Sequence, residues 1–394
     1  MKKRVGIILY NDLSVDARVL NELKILGTKY DLRILCTGEK PAKPQAVENY
    51  EVDYVQVDTV YQRFMMVSST TNDLFLNFWS KKIKDFRHKH SLDLLHVHDL
   101  YLLPPALEAV KAKKIPVVVD LHENYPAAFR TYSWTKKLPH KLFVNHNYWD
   151  RVERDMLKET DGIVVLSSVF RKKLLTKDKW LEKDRFAVYP NVPDLDFYKG
   201  QKVSNENEDS IFRLFYLGVI GYSRGLHIAS EAVKILRSKN FKVELHVAGK
   251  VHKNDQTYFE KDVLNEHVIH IPWIHLEHLG EHLSKMDVGI SPIFKNPQHE
   301  SGIANKVYQY MLFSKPILVS DCEPQEKLTK NEHCGLVHKD QDPEDFASKV
   351  EWLIKNPKGR EEMGRLGRRA ILNKYNTKVM GERLISLYER ILKN

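Results

Sequence analysis

Three stretches of this chain carry side chains that could do chemistry. The first is His299-Glu300-Ser301-Gly302-Ile303-Ala304-Asn305-Lys306-Val307-Tyr308-Gln309-Tyr310-Met311, followed by Lys315-Pro316-Ile317-Leu318-Val319-Ser320-Asp321. It reads as a short glycine-bearing loop, then a helix, then a buried strand. Unpaired N–H groups at a helix N-terminus with a glycine nearby form an anion site, and polar residues on the first turns can grip a sugar or a ribose. A plain loop-to-helix turn is the alternative. The second is Phe215-Tyr216-Leu217-Gly218-Val219-Ile220-Gly221-Tyr222-Ser223-Arg224-Gly225-Leu226. Here a strand ends, glycines allow a tight turn, and a cation precedes a helix. The planar guanidinium of Arg224 can give two hydrogen bonds to one phosphate; a surface arginine at a helix start is the competing reading. The third is a pair of strand ends, Leu95-His96-Val97-His98-Asp99-Leu100 and Val119-Asp120-Leu121-His122-Glu123-Asn124. Polar residues just beyond parallel strands point into the crevice where ligands bind. His98, Asp99, His122 and Glu123 are also residue types that could hold a metal.

These residues need a scaffold, and the hydrophobic pattern supplies one. Strand-like apolar runs alternate with helical patterns throughout, which predicts parallel α/β architecture. Strands are expected near Val5–Tyr10, Leu32–Cys36, Tyr54–Val57, Leu94–Val97, Val117–Asp120 and Ile163–Leu166 in the first half. In the second half they fall near Leu214–Leu217, Val243–Ala248, Val268–Ile271, Val288–Ser291, Ile317–Val319 and Leu336–Val337. Val19, Leu20, Leu23 and Leu26 make a helical stripe within Val15–Gly27. Asp16 is placed to cap that helix. The polar stretch Phe197–Ser210 separates the two series and reads as a linker or surface loop. The final stretch, Thr377–Lys393, is amphipathic through Val379, Leu384, Leu387, Tyr388, Ile391 and Leu392.

A length of 394 residues suits about two domains, and 42% apolar residues can fill two cores. The longest apolar runs are strand-length, well short of a membrane span. The start Met1-Lys2-Lys3-Arg4 is followed by only six apolar residues, so a first β-strand is expected and not an export signal. A cytoplasmic location is expected. Cys36, Cys322 and Cys334 have no metal or redox spacing and are expected as buried thiols. The net charge of +10 fits nucleic acid, an anionic membrane surface or phosphorylated substrates. No nucleic-acid module or basic–aromatic repeat is present, and a nucleic-acid partner is not expected. Leu74, Phe75, Phe78, Trp79, Ile83 and Phe86 can form an apolar helical stripe beside Lys81, Lys82, Lys84 and Arg87. Such a helix can lie on an anionic leaflet; packing on the domain's own sheet is the alternative.

Taken together, the three motifs resemble the glycosyltransferases with two Rossmann-like domains, the GT-B fold, and retaining family 4 in particular. The resemblance spans nearly the whole chain. It implies an N-terminal acceptor-side domain over 1–200, a nucleotide-sugar-binding domain over 208–376, and a last helix, 377–394, crossing back to the first. It implies that the loop before the 305–311 helix holds a pyrophosphate and that Arg224 pairs with the donor phosphates. Two departures stand out. Val219 occupies a position where the family often has a second basic residue. Gln309 replaces a carboxylate that binds ribose hydroxyls, and its usual partner carboxylate falls at Ser301, with Glu300 one residue earlier. Asn305-Lys306 matches a common variant.

The donor site is therefore expected from Arg224, Glu300, Ser301, Gly302, Ile303, Ala304, Lys306 and Gln309. His122 matches a histidine near the transferred sugar and is expected as the catalytic residue. Asp12, Arg18, His98, Asp99 and Glu123 are expected on the acceptor side. No metal and no cofactor are expected, because relatives are usually metal-independent and Arg224 can balance phosphate charge. Asp194-Leu195-Asp196 is read as a connector. The implied activity is transfer of a sugar from a nucleotide-diphosphate sugar to a glycan or lipid-linked acceptor, with retention, by an enzyme peripheral to the inner face of the cell membrane. A GT-B nucleotide-sugar epimerase, a basic nucleic-acid-binding protein and an inactive partner subunit are the rival readings.

Overall fold

The computed structural model describes residues 2–38, 49–132, 144–201 and 210–393. Part of the expected linker, 202–209, lies outside them. Two compact units result: Met1–Pro190 together with Met380–Asn394, and Asn191–Val379.

The first unit is built on seven parallel strands: β1 (Arg4–Ile8), β2 (Asp31–Thr37), β3 (Glu51–Val55), β4 (Leu94–His98), β5 (Val117–Leu121), β6 (Gly162–Val165) and β7 (Phe186–Val188). Their order is β3-β2-β1-β4-β5-β6-β7. Covered on both faces, a parallel sheet reads as continuous apolar sequence. All five residues of β4 and of β5 are buried, which takes His96, His98 and Asp120 into the interior with the valines and leucines. β7 was not foreseen, because three residues are too few to show a period. β3, an edge strand with mixed exposure, begins earlier than its apolar residues suggest.

Helices α1 (Ala17–Leu26), α2 (Thr59–Ser68) and α3 (Leu74–His90) lie in this unit. Asp16 does cap α1, accepting the Val19 N–H at 3.2 Å. The stripe on α3 turns inward: Phe75, Trp79, Ile83 and Phe86 are buried in the unit's core. Burying each of these stabilises by about 1.5–3 kcal/mol, so this helix does not offer them to a lipid surface. Leu74 remains exposed, Phe78 is partly buried, and Lys81, Lys82 and Lys84 face solvent.

The second unit has six parallel strands: β8 (Phe212–Leu217), β9 (Val243–Ala248), β10 (Val268–Ile271), β11 (Val288–Ser291), β12 (Ile317–Ser320) and β13 (Gly335–His338). Their order is β10-β9-β8-β11-β12-β13. Helix α4 (Leu226–Ser238) follows β8, and α5 (Asn305–Leu312) lies between β11 and β12. Gly289 lets α5 approach β11: a Cβ there would lie 2.1 Å from the Tyr310 ring. The Tyr310 hydroxyl then accepts the Leu217 N–H at 2.8 Å, tying α5 to the end of β8. In each sheet the strand order reverses once, between β1 and β4 and between β8 and β11. Ligand crevices open beyond the carboxyl ends of strands at such points.

The last helix, α6 (Thr377–Lys393), matches its expected bounds. From Met380 onward it belongs to the first unit. There Leu387 and Ile391 pack against Gly162, and the buried Tyr388 hydroxyl meets His96 Nδ1 at 2.5 Å. All three cysteines are buried free thiols. Among the described residues no helix is long and apolar enough to cross a membrane.

Candidate functional site

The second unit holds a pocket of 660 Å³ beyond β8. It is lined by Gly218, Val219, Arg224, Lys250, residues 273–277 and 304–306, and Gln309. Two cations meet there. Arg224 ends a short helical turn, and Gly225 follows at φ 70°. A side chain at that glycine would strike the Pro292 carbonyl at 2.0 Å, so only glycine permits this turn. The Arg224 Nη1 lies 3.2 Å from His299 Nε2. His299 Nδ1 lies 2.7 Å from the Phe294 carbonyl, to which it donates, leaving Nε2 free to accept from the guanidinium. Burial and the charges of Arg224 and Lys306 depress the His299 pKa to about 4, so the ring is neutral.

Lys306 is the second cation. Its side chain is buried, with Nζ 3.6 Å from the Tyr216 ring centroid. Gly218 sits beside it, where a Cβ would be 3.3 Å from Nζ. Burial, then the charge of Arg224, hold the Lys306 pKa well below the usual lysine range. No carboxylate pairs with Arg224 or Lys306 among the described residues, although buried charges are ordinarily paired. Lys306 and Asn305 also open α5, whose N-cap, Ala304, provides no capping side chain.

The expected donor residues divide. Arg224, Ala304, Lys306 and Gln309 come together on the pocket wall. Glu300, Ser301, Gly302 and Ile303 do not line it. Ser301 is buried and donates its hydroxyl to the Gln298 carbonyl at 2.6 Å. Gly302 has φ −157°, an extended conformation open to any residue. Gln309 Nε2 donates to the Tyr198 hydroxyl at 2.7 Å. Sequence reasoning missed Trp273, which is 58% exposed, with Lys250 Nζ 4.9 Å from its ring centroid. An exposed tryptophan just past a strand was the available signal. His299 was within the quoted motif, but its partner is 75 residues away.

In the first unit the ends of β4 and β5 converge. His98 Nδ1 is 2.9 Å from His122 Nε2. Asp120 lies 3.5 Å from His122 Nε2 and Asp99 lies 3.8 Å from Nδ1. Burial disfavours charge on His122, but Asp99 and Asp120 outweigh it and raise its pKa to about 9. His98, buried and facing both neighbouring histidines, is pushed well down. His122 is therefore the imidazolium that donates and His98 the neutral ring that accepts. Asp99 has φ 71° and ψ 148°, a conformation costing a non-glycine residue about 1–3 kcal/mol. Its N–H to the Asp120 carbonyl and the Tyr101 hydroxyl on its carboxylate, both 2.8 Å, hold it there. Glu123 accepts from the Tyr132 hydroxyl at 2.6 Å.

Arg18 turns inward. Its side chain is 7% exposed and faces the interior. It grips Asp120 through Nε and Nη2, both at 2.8 Å, approaches Glu22 at 3.3 Å, and donates to the Tyr189 carbonyl. This arginine orders the carboxylate behind His122. The cluster with metal-ligand geometry is also a different one: Glu22, His96, His98 and Asp120, all buried, with ligand atoms within 4.8 Å of one another. Arg18 already supplies positive charge to that cluster. Asp12 caps a turn through Ser14 and lines a separate 550 Å³ pocket with Tyr10, Asn11, Asp58 and Gln62.

Residues 18–197 match the family described as Glycosyltransferase Family 4, and residues 212–356 match Glycosyl transferases group 1. The chain is 25% identical over 243 residues to the capsular polysaccharide biosynthesis glycosyltransferase CapM of Staphylococcus aureus, covering 59% of this chain and 62% of that protein. It is 28% identical over 102 residues to the N,N'-diacetylbacillosaminyl-diphospho-undecaprenol alpha-1,3-N-acetylgalactosaminyltransferase of Campylobacter jejuni, covering 26% and 27%. Both matches thus span less than two thirds of the relative's length. In structure it is similar to Anabaena HepE solved with UDP, at TM-score 0.73 and 12% identity over 99% of this chain and all of that one. That likeness establishes the fold.

Proposed function

We propose that this chain, a GT-B protein of the glycosyltransferase family 4 and group 1 kind, moves a sugar from a nucleotide-diphosphate donor to a glycan or lipid-linked acceptor, with retention and without a metal. The observation that carries this reading is the pair Arg224 and Lys306, two neighbouring basic side chains on one pocket wall, neither ion-paired to a carboxylate among the described residues. A diphosphate supplies the missing negative charge. The relatives support the acceptor class, since one is named for capsular polysaccharide and one for a diphospho-undecaprenol substrate.

In this reading the second unit binds the donor. The diphosphate lies against Arg224, Lys306 and the open N–H groups of α5, where charge developing on the leaving group is stabilised by groups already in position. The nucleobase stacks on Trp273, and Gln309, held by Tyr198, accepts from a ribose hydroxyl. The first unit, with the last helix, handles the acceptor. His122 is charged at neutral pH, so it serves as a fixed positive charge and N–H donor and takes no proton. The departing diphosphate is then the base that deprotonates the acceptor, on the same face of the sugar.

A thermal-shift screen of nucleotide-diphosphate sugars, followed by NMR of the product's anomeric configuration, tests this. Stabilisation by a nucleotide-sugar and an axial-to-axial or equatorial-to-equatorial outcome are expected. Inversion, or epimerised donor formed without any acceptor, would refute the reading.

A further inference from the structure

The Arg224 guanidinium is held by a side chain that carries no charge. Residues 292–304, between β11 and α5, pack against the turn on which this arginine sits. The Phe294 N–H donates to the Ser223 carbonyl at 3.0 Å. The Pro292 carbonyl lies so close to Gly225 that a Cβ there would clash with it. Arg224 Nη1 then donates to His299 Nε2 at 3.2 Å. His299 is fixed from its other side. Its backbone N–H donates to Asn296 Oδ1 at 2.9 Å, its Nδ1 donates to the Phe294 carbonyl at 2.7 Å, and the residue is buried. Asn296 Nδ2 also lies 2.9 Å from Nδ1. The tautomer that would accept from that amide is excluded, because it would aim an N–H at the arginine, which has no lone pair to receive it. One lone pair of the imidazole is therefore left, on Nε2, and it meets the guanidinium.

A long, flexible side chain loses rotamer freedom when a ligand fixes it, and a partner that fixes it beforehand removes part of that loss from binding. A carboxylate beside Arg224 would do this too. It would also pair with the charge that an anionic ligand has to meet, and would repel a phosphate. An imidazole takes one N–H of the guanidinium and leaves the charge and the other donors. Lys306 is held in a similar way. Its Nζ sits over the Tyr216 ring, and the Tyr216 hydroxyl is anchored on the Val219 carbonyl at 2.8 Å. Arg224 and Lys306 thus both have neutral partners. We propose that His299 is a positioning residue of this pocket: it aims Arg224 at a diphosphate and, unlike a carboxylate, leaves the guanidinium its whole charge. The inference rests on the reading of the pocket as the donor site. His299 acts in it through Arg224 and needs no contact with the ligand.

The test compares His299→Gln, His299→Phe and His299→Glu with the parent and with Arg224→Ala. Binding of UDP and of pyrophosphate is measured by calorimetry, binding of uridine by ligand-observed NMR, and melting temperature without ligand by scanning fluorimetry. His299→Gln can still accept from Arg224 and donate to Phe294, and should stay close to the parent. His299→Phe keeps a ring and loses the acceptor. It should bind UDP and pyrophosphate about tenfold more weakly, as for the loss of one charge-assisted hydrogen bond, with uridine unchanged. His299→Glu should melt higher than the parent without ligand, because it pairs with Arg224, and yet bind UDP at least about tenfold more weakly. A residue that only supports the fold would move uridine together with UDP, and would not separate melting temperature from affinity. UDP binding unchanged in His299→Phe, UDP binding in His299→Glu equal to or tighter than the parent's, or an equal fall for all three ligands overturns the proposal. Where Arg224→Ala weakens UDP and His299→Phe does not, the donor site stands and only the role of His299 falls. A parent that binds neither UDP nor pyrophosphate overturns the donor reading and this inference with it.

Discussion

Replacing Lys306 with Met keeps the stem over Tyr216 and removes the charge, which should move two properties in opposite directions. Without ligand the Lys306 amine is buried beside Arg224, with the Tyr216 ring as its partner among the described residues. Its pKa is lower folded than unfolded, so the unfolded chain binds the proton more tightly. The penalty is complete below the folded pKa and fades as pH rises toward the ordinary lysine value of about 10.4. At neutral pH Lys306→Met should therefore melt higher than the parent, and should lose the parent's gain in stability on the alkaline side. With nucleotide diphosphate present the parent gains more stability than the variant. A charged hydrogen bond to phosphate contributes about 1.5–3 kcal/mol, so affinity should fall roughly 10- to 150-fold. At a ligand concentration about 100 times the parent's Kd, binding stabilises the parent by about 2.7 kcal/mol and the variant by only about 0.3–1.4 kcal/mol. Differential scanning fluorimetry with and without UDP, backed by calorimetry, reads both effects. A variant that binds UDP within twofold of the parent would refute the diphosphate assignment.

Other perturbations separate the remaining roles. His122, with its pKa raised to about 9, should support turnover while protonated, so kcat/KM should fall as pH rises through about 9; the stability it contributes is complete below about 6.5 and lost over the same rise. His122→Ala should cut kcat far more than nucleotide affinity, and equal losses would mean a structural role. Arg18→Leu removes the guanidinium from buried Glu22 and leaves Asp120 with His122 as its remaining cation, and should cost about 3–5 kcal/mol in chemical denaturation; a loss under 1 kcal/mol would contradict the buried pairing. Trp273→Ala should weaken UDP by about 1–3 kcal/mol, the range for one base–aromatic stack, and leave inhibition by pyrophosphate unchanged.

Much of the architecture was legible because parallel α/β folds write themselves as repeated apolar runs. Every expected strand is present, and α6 ends where its periodicity does. The motifs around Arg224 and Lys306 were visible because glycines and a helix start are local signals, and the pocket does unite them. Pairings across the fold were not. Arg18 sits in a polar-looking segment, and its partner Asp120 is 102 residues away, so nothing local said that its side chain turns inward. The same distance problem hid His299 behind Arg224. The stripe on α3 had two outlets with the same periodicity, sheet or lipid, and amphipathicity alone does not choose between them. Asp99 shows a third kind of blindness: a strained backbone at a non-glycine residue leaves no mark in the sequence.

The contact between Tyr388 and His96 has a consequence for how the protein is made. The first unit is interrupted: its sheet is complete by Pro190, but its last helical segment begins only at Met380. At about 5–20 residues per second, the roughly 200 intervening residues take about 10–40 s to synthesise. Throughout that interval the Ile25 side chain, the surface over Gly162 and the His96 ring lack the helix that covers them. The second unit, contiguous in the chain, has no such wait. A nascent chain stalled before Met380 would therefore carry a finished C-terminal unit and a first unit with an open apolar face, the form that chaperones hold and proteases remove.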